Sequence, residues 1–208
     1  MYVRGQGTDP SGMGRWSWIR LQRLGLPDLI IVTAYRVCIS SNVHAKQTAH
    51  LQQSRALTQQ DCPVRDPRKA FLLDFGRFLR GHQQQEHSLM VLIDANDELK
   101  SGTDWHNFAM EHDLVDCFQH RHPSISVRTY NRGKRQIDSM LVSSSVLPAL
   151  QTATIEEFGS IICVCLQWAI VWHIVFAGGM CHDDVVEGMC PFCFEFLCYH
   201  VGDFHGNS

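Results

Sequence analysis

Ser88-Leu-Met-Val-Leu-Ile-Asp94-Ala-Asn96 is the stretch on which the reading of this sequence turns. Its consecutive bulky apolar residues read as a strand covered on both faces. The run stops at an acid, a small residue and an amide. If extended backbone continues through Asp94 and Asn96, the two-residue period of a strand puts both side chains on one face. An anionic acceptor and an amide at the end of a buried strand can hold a water or a phosphate oxygen. The same Asp-x-Asn order is also that of a turn closed by Asx hydrogen bonds.

Upstream, Trp16-Ser-Trp-Ile-Arg-Leu21 alternates bulky and polar residues as a half-buried strand does, and Gly25 to Asp28 supply turn chemistry. Leu29-Ile-Ile-Val-Thr-Ala-Tyr35 is a nearly continuous β-branched run, so the two segments are expected to form a hairpin. Ala45 to Gln60 favours helix with weak amphipathicity. A stronger helix signal follows: Asp66 as cap, Pro67 in the first turn, and Phe71, Leu72, Phe75, Phe78 and Leu79 at helical spacing, with Gly81 near the stop.

Downstream, Thr103 to Glu111 reads as a short helix with Trp105, Phe108 and Ala109 facing inward. Arg128-Thr-Tyr130, the turn Asn131-Arg-Gly-Lys134 and Gln136 to Val142 read as a second hairpin. Asp138 lies in its later strand, where a carboxylate needs a partner or solvent to remain charged. Strands and helices thus alternate unevenly, with hairpins in place of strict βαβ units. The expected class is α/β (α+β), part of a four-layer α/β sandwich with mixed β-sheets flanked by helices.

The chain has 208 residues, 45% apolar and 19% charged, with a net charge of -3. That is ordinary globular composition, and no global basic field advertises a polyanionic partner. Basic residues concentrate locally at Arg65, Arg68 and Lys69 and at Arg128, Arg132, Lys134 and Arg135, where solvated surface is the plain expectation. Residues 1–13 are expected to be irregular and carry no signal-peptide pattern. Six of the nine cysteines fall after Ser160, so the body reads as reduced and intracellular, nuclear or cytoplasmic.

In order along the chain, Gly14-Arg-Trp16, Val32-Thr-Ala-Tyr35, Leu92-Ile-Asp94-Ala-Asn96, Thr129-Tyr-Asn-Arg-Gly133 and Arg135-Gln-Ile-Asp138 with Ser143 resemble the endonuclease/exonuclease/phosphatase superfamily over residues 14–160. The nearest resemblance is to endonuclease-like domains of mobile elements, where Gly-Arg-Trp and Thr-Ala-Tyr-Arg segments recur. The resemblance implies a metal-dependent phosphodiester hydrolase acting on nucleic acid, DNA in preference to RNA, by in-line attack of water. It assigns Asp94 to orienting or deprotonating that water, and Asn96 to the scissile phosphate or to fixing the aspartate. Tyr35 becomes a phosphate-contacting phenol, Asp138 the partner of a catalytic histidine, and Asn131, Arg132 and Lys134 substrate contacts. Mg²⁺ is the implied cofactor, with its ligands in this chain unknown.

The family pattern breaks in two places. The early metal-binding glutamate has no match, and after Glu156-Glu-Phe-Gly-Ser160 the expected Asp-His pair is replaced by Ile161-Ile-Cys-Val-Cys-Leu. His182-Asp183-Asp184 has the right residue types in the wrong order. The expectation is therefore a domain fragment, impaired in catalysis. For residues 161–208, an apolar Cys-rich tail, three readings stay open: non-homologous translated sequence, a membrane helix in the run from Ile161 to Ala177, or a zinc site using Cys181, Cys190, Cys193, Cys198 and His200. The alternatives to an enzyme are a non-catalytic nucleic-acid or protein interaction remnant and a small membrane-anchored protein.

Overall fold

The computed structural model describes residues 2–39, 48–125, 128–129, 135–150, 153–158 and 161–165. The elements run β1 (Tyr2–Thr8), β2 (Trp16–Gln22), β3 (Leu29–Tyr35), α1 (Ala49–Gln59), α2 (Pro67–Gln83), β4 (Ser88–Asp94), α3 (Asp104–Glu111), β5 (Leu114–Asp116), α4 (Cys117–Arg121) and β6 (Asp138–Ser143). A 3₁₀ turn (Ser144–Ala149) and the strands β7 (Thr154–Phe158) and β8 (Ile161–Cys165) follow.

Six strands form one mixed sheet in the order β1-β2-β3-β4-β6-β5. The β2–β3 hairpin is antiparallel, as its alternating pattern and turn residues imply. β3 and β4 are parallel, and the chain between them contributes helices α1 and α2. β4 lies at the centre and is buried along nearly its whole length, which matches its unbroken apolar sequence. An α/β class with a mixed sheet is thus established.

Helix α2 starts as its sequence dictates. The Asp66 carboxylate accepts hydrogen bonds from the backbone N–H groups of Arg68 (2.8 Å) and Lys69 (3.3 Å), and Pro67 occupies the first turn. Its apolar stripe packs on one face of the sheet in an aromatic cluster. Trp16 meets Phe75 with ring centroids 5.3 Å apart, and Phe75 stacks on Phe108 of α3 at 6.0 Å. The opposite face carries a second cluster, including Met90, Met140 and Val142 with Val146 of the 3₁₀ turn.

Several expectations are corrected. Tyr2–Thr8 is a strand paired with β2 rather than an irregular segment. Its glycines hide the alternation, and one of them is needed: a Cβ on Gly7 would lie 2.9 Å from Nε1 of Trp18, whose ring covers the strand. Helix α2 continues through Gly81 to Gln83, because packing outweighs the weak helix propensity of one glycine. Asp138 opens β6 and does not lie inside it, and β6 pairs with β4 and β5. Arg128 and Thr129 form no strand. Thr129 N–H donates to the Arg135 carbonyl at 3.2 Å, and the turn Asn131-Arg-Gly-Lys134 of the expected second hairpin lies outside the described residues. β8 pairs antiparallel with β7 in a separate two-stranded sheet, so the first five residues of the apolar tail are strand. The rest of the tail lies outside the described residues. Among the described residues, no helix is long and apolar enough to cross a membrane.

The Gly14-Arg-Trp16 motif proves structural. Arg15 is 1% exposed, and its guanidinium Nε donates to Asp9 at 2.6 Å while its NH2 reaches Asp74 of α2 at 2.9 Å. Burial alone would raise the Asp9 carboxyl pKa. The Arg15 hydrogen bond and charge, with donors from Ser11, hold it below the ordinary value instead. This pair ties the β1–β2 turn to the helix layer. Arg15→Ala leaves Asp9 buried without its cation, and we expect unfolding free energy in urea to fall by about 3–5 kcal/mol. The double variant Asp9→Asn, Arg15→Met should lose less. A single-variant loss below about 1 kcal/mol would show that the pair does not hold the turn.

Candidate functional site

β3, β4 and β6 are aligned so that Tyr35 stands opposite Asp94, and Asp94 stands opposite Asp138. Register partners on neighbouring strands project to the same face. The three side chains therefore form one row across the sheet, on the face away from α2 and α3. Three residues far apart in sequence are assembled at the C-terminal ends of β3 and β4 and the start of β6.

The two carboxylates pay electrostatically for their position. Asp94 is half-buried; burial raises its pKa, opposed by its hydrogen bonds with the Asn96 backbone and side chain. Asp138 is pushed up to about 6, first by burial and further by the charge of Asp94, with the Thr129 hydrogen bond pulling the other way. Burial also raises the Tyr35 phenol, and Cys38 and Asp94 add to the shift, so Tyr35 stays a neutral O–H donor. Tyr35 is 39% exposed and its end of the sheet is open to solvent.

Asn96 does not share the face of Asp94. The strand ends at Asp94, and Asn96 takes a left-handed conformation with φ of 48°. Its backbone N–H donates to Asp94 Oδ1 at 3.1 Å, and its side-chain amide donates to the Arg36 carbonyl at 2.9 Å. The segment is thus the Asx turn that its sequence also allowed. Asn96 joins the end of β4 to the end of β3.

A buried network beneath this turn was not legible as a site. Asp97 Oδ2 accepts from Arg36 NH1 at 3.0 Å and from Arg68 NH2 at 2.8 Å. Arg68 NH1 also donates to the carbonyl of Val37 at 2.7 Å and to that of Asn96 at 3.4 Å. Arg68, expected on solvated surface, is 8% exposed and clamps both strand ends to the first turn of α2. Its run of basic neighbours concealed this, because a buried arginine shows itself only by the acid that meets it. Arg36 has its pKa lowered by burial and by Arg68, with Asp97 compensating.

Thr129 is the second residue whose role the sequence left open. Its hydroxyl oxygen accepts from the backbone N–H of Ile137 at 2.8 Å and of Asp138 at 3.0 Å, which fixes the entry of β6. The motif Thr129-Tyr-Asn-Arg-Gly133 was the available signal. Asn131, Arg132 and Lys134, expected as substrate contacts, lie outside the described residues, as do His182 to Asp184 and the tail cysteines from Cys181 onward. Among the described residues, no group of three or more His, Cys, Asp and Glu side chains can hold a metal ion.

No family model matches this sequence, and no curated protein matches it. Solved structures do. A 3′ phosphatase, NExo, from Neisseria, bound to a product DNA hairpin, is matched at TM-score 0.54 and 15% identity, over 80% of this chain and 72% of that one. The 3′-5′ exonuclease NExo from Neisseria meningitidis is matched at TM-score 0.53 and 14% identity over the same shares. The Xenopus laevis APE2 catalytic domain is matched at TM-score 0.51 and 14% identity, over 74% of this chain and 55% of that one. The sheet order, helices α2 and α3 packed on one face and this likeness give the chain the deoxyribonuclease-I-like fold.

Proposed function

We propose that this chain is an endonuclease-like phosphodiesterase module of mobile-element origin that binds nucleic acid, DNA in preference to RNA, and is impaired in hydrolysis. The observation that carries the phosphodiester reading is the row Tyr35, Asp94 and Asp138, set in register at an open sheet end. The solved structures of this fold named above are a 3′ phosphatase, an exonuclease and an APE2 catalytic domain, one of them holding DNA. Mobile-element origin rests on the segments Gly14-Arg-Trp16 and Thr33-Ala-Tyr-Arg36. Impairment rests on the sequence after Ser160, where apolar residues stand in place of the expected Asp-His pair.

Each group has a definite chemical capacity. Ionised Asp94 accepts a proton from a water placed on its open side. The Tyr35 phenol, kept protonated, donates to a phosphate oxygen. Asp138 holds its own proton through mildly acid pH and then becomes a second acceptor. The resemblance also calls for Mg²⁺. Two neighbouring carboxylates are hard oxygen donors of the right kind, but among the described residues no third acid or histidine completes the set. The described residues fall short of a metal site, so no step is assigned to one.

Two outcomes are expected. Anisotropy with labelled duplex DNA should show binding that weakens steeply with salt, while Mg²⁺-supplemented nicking of plasmid and abasic DNA stays at background. Nicking that appears and is lost in Asp94→Ala would overturn the impairment; binding to neither DNA nor RNA would overturn the nucleic-acid reading. The second outcome concerns pH. The folded pKa of Asp138, about 6, lies above its ordinary 3.8, so folding favours the protonated carboxyl. Stability contributed by the neutral form is present below the ordinary value and lost as pH rises to the folded one. Asp138→Asn should raise stability at pH 8 by on the order of 1 kcal/mol, after solvent screening, and change little at pH 4. A variant destabilised equally at both pH values would show that Asp138 is not strained by its charge.

A further inference from the structure

A cleft of about 510 Å³ opens beside the sheet end that carries the two carboxylates. Both of its main walls continue from the segments that hold them. Glu98 to Ser101 follow the Asp94–Asn96 turn, and Gln136 immediately precedes Ile137 and Asp138. The opposite wall is Gln119 of α4 with Pro123 to Ile125. Gln136 is held in place, with its Nε2 donating to Asp116 Oδ2 at 3.2 Å and to the Asp138 carbonyl at 3.4 Å. Asp116 in turn caps α4 by accepting from Gln119 N–H at 2.8 Å. Gln136 therefore lines the cleft and is hydrogen-bonded to the backbone of Asp138, one member of the row.

The lining chemistry selects among ligands. Its charged residues among those described, Glu98 and Lys100, oppose one another, so there is no net field to hold a phosphate inside. Leu99, Pro123 and Ile125 offer apolar surface for a flat ring. The Gln136 and Gln119 carboxamides each carry a donor and an acceptor group. Carboxamides beside apolar walls suit a neutral heteroaromatic ring with hydrogen-bonding edges, and the volume lies within the range of small-ligand pockets, about 300–1,000 Å³.

We propose that this cleft takes a nucleobase of the strand whose phosphate lies at the row Tyr35, Asp94 and Asp138. The inference rests on the phosphodiester reading and adds to it a base-reading subsite separate from the reacting groups. It makes single-stranded or locally unpaired nucleic acid the preferred ligand, because a base inside a duplex stack is not free to enter.

The test uses the full chain and two labelled probes of equal phosphate count: a thymidine tetranucleotide and a tetramer of baseless tetrahydrofuran residues. The base-bearing probe should bind about tenfold more tightly at fixed ionic strength. Gln119→Ala with Ile125→Ala should remove most of that advantage and leave the affinity for the baseless probe unchanged. Both positions are exposed, so an unchanged melting curve will confirm the fold. Equal affinity for the two probes, or an advantage that survives the double variant, overturns the cleft and leaves the phosphodiester reading standing. Binding of neither probe overturns both.

Discussion

Alignment of β4 between β3 and β6 is the constraint on which the remaining features depend. β4 is hydrogen-bonded on both edges and covered on both faces, so its register is over-determined: a slip of one residue would turn its buried apolar side chains to the wrong layer. The same register places Asp94 between Tyr35 and Asp138. A polar row at the end of an apolar strand is held where it is by the burial of everything behind it. The carboxylates need no attraction for one another: burial raises the Asp138 pKa, and the charge of Asp94 adds to that rise.

Because the row is electrostatically unfavourable, something else has to keep the strand ends in place. Backbone bonds do part of this, with Arg36 N–H donating to the Asp94 carbonyl and Ala95 N–H to the Ile137 carbonyl, both at 2.9 Å. The Arg36, Asp97 and Arg68 network does the rest from below. Its two cations share one carboxylate, and Arg68 adds backbone acceptors, so the buried guanidinium groups are only partly neutralised by charge. Such a network is costly to desolvate and expensive to break. Its position directly under the Asn96 turn links that cost to the geometry of the candidate site.

The two faces of the sheet divide the labour. The helix face carries the aromatic cluster around Trp16, Phe75 and Phe108, anchored at its rim by the buried Arg15 ion pairs. The other face is aliphatic and thioether-rich, ends in the polar row, and leaves Ile19, Ile31 and Leu92 only partly covered. Packing is concentrated behind the polar row, and the row itself stands at the less covered end of the sheet.

By itself the sequence determined the strands β2, β3 and β4 and the capped helix α2, whereas only the family resemblance grouped Tyr35, Asp94, Asn96 and Asp138. The strands and the helix follow from local rules: side-chain period and cap chemistry. Only the tertiary structure decided that Asn96 turns away into an Asx bond, since extended strand and turn are both open to Asp-x-Asn until the chain beyond has somewhere to go. It alone showed Tyr2–Thr8 as a strand, because that segment's partner surface is the ring of Trp18 and not its own pattern. It alone showed Arg15 and Arg68 as buried, because the acids that receive them come from other elements. Spacing along a chain reports which face a residue shares with its neighbours, whereas the partner of a charge is set by packing between elements distant in sequence.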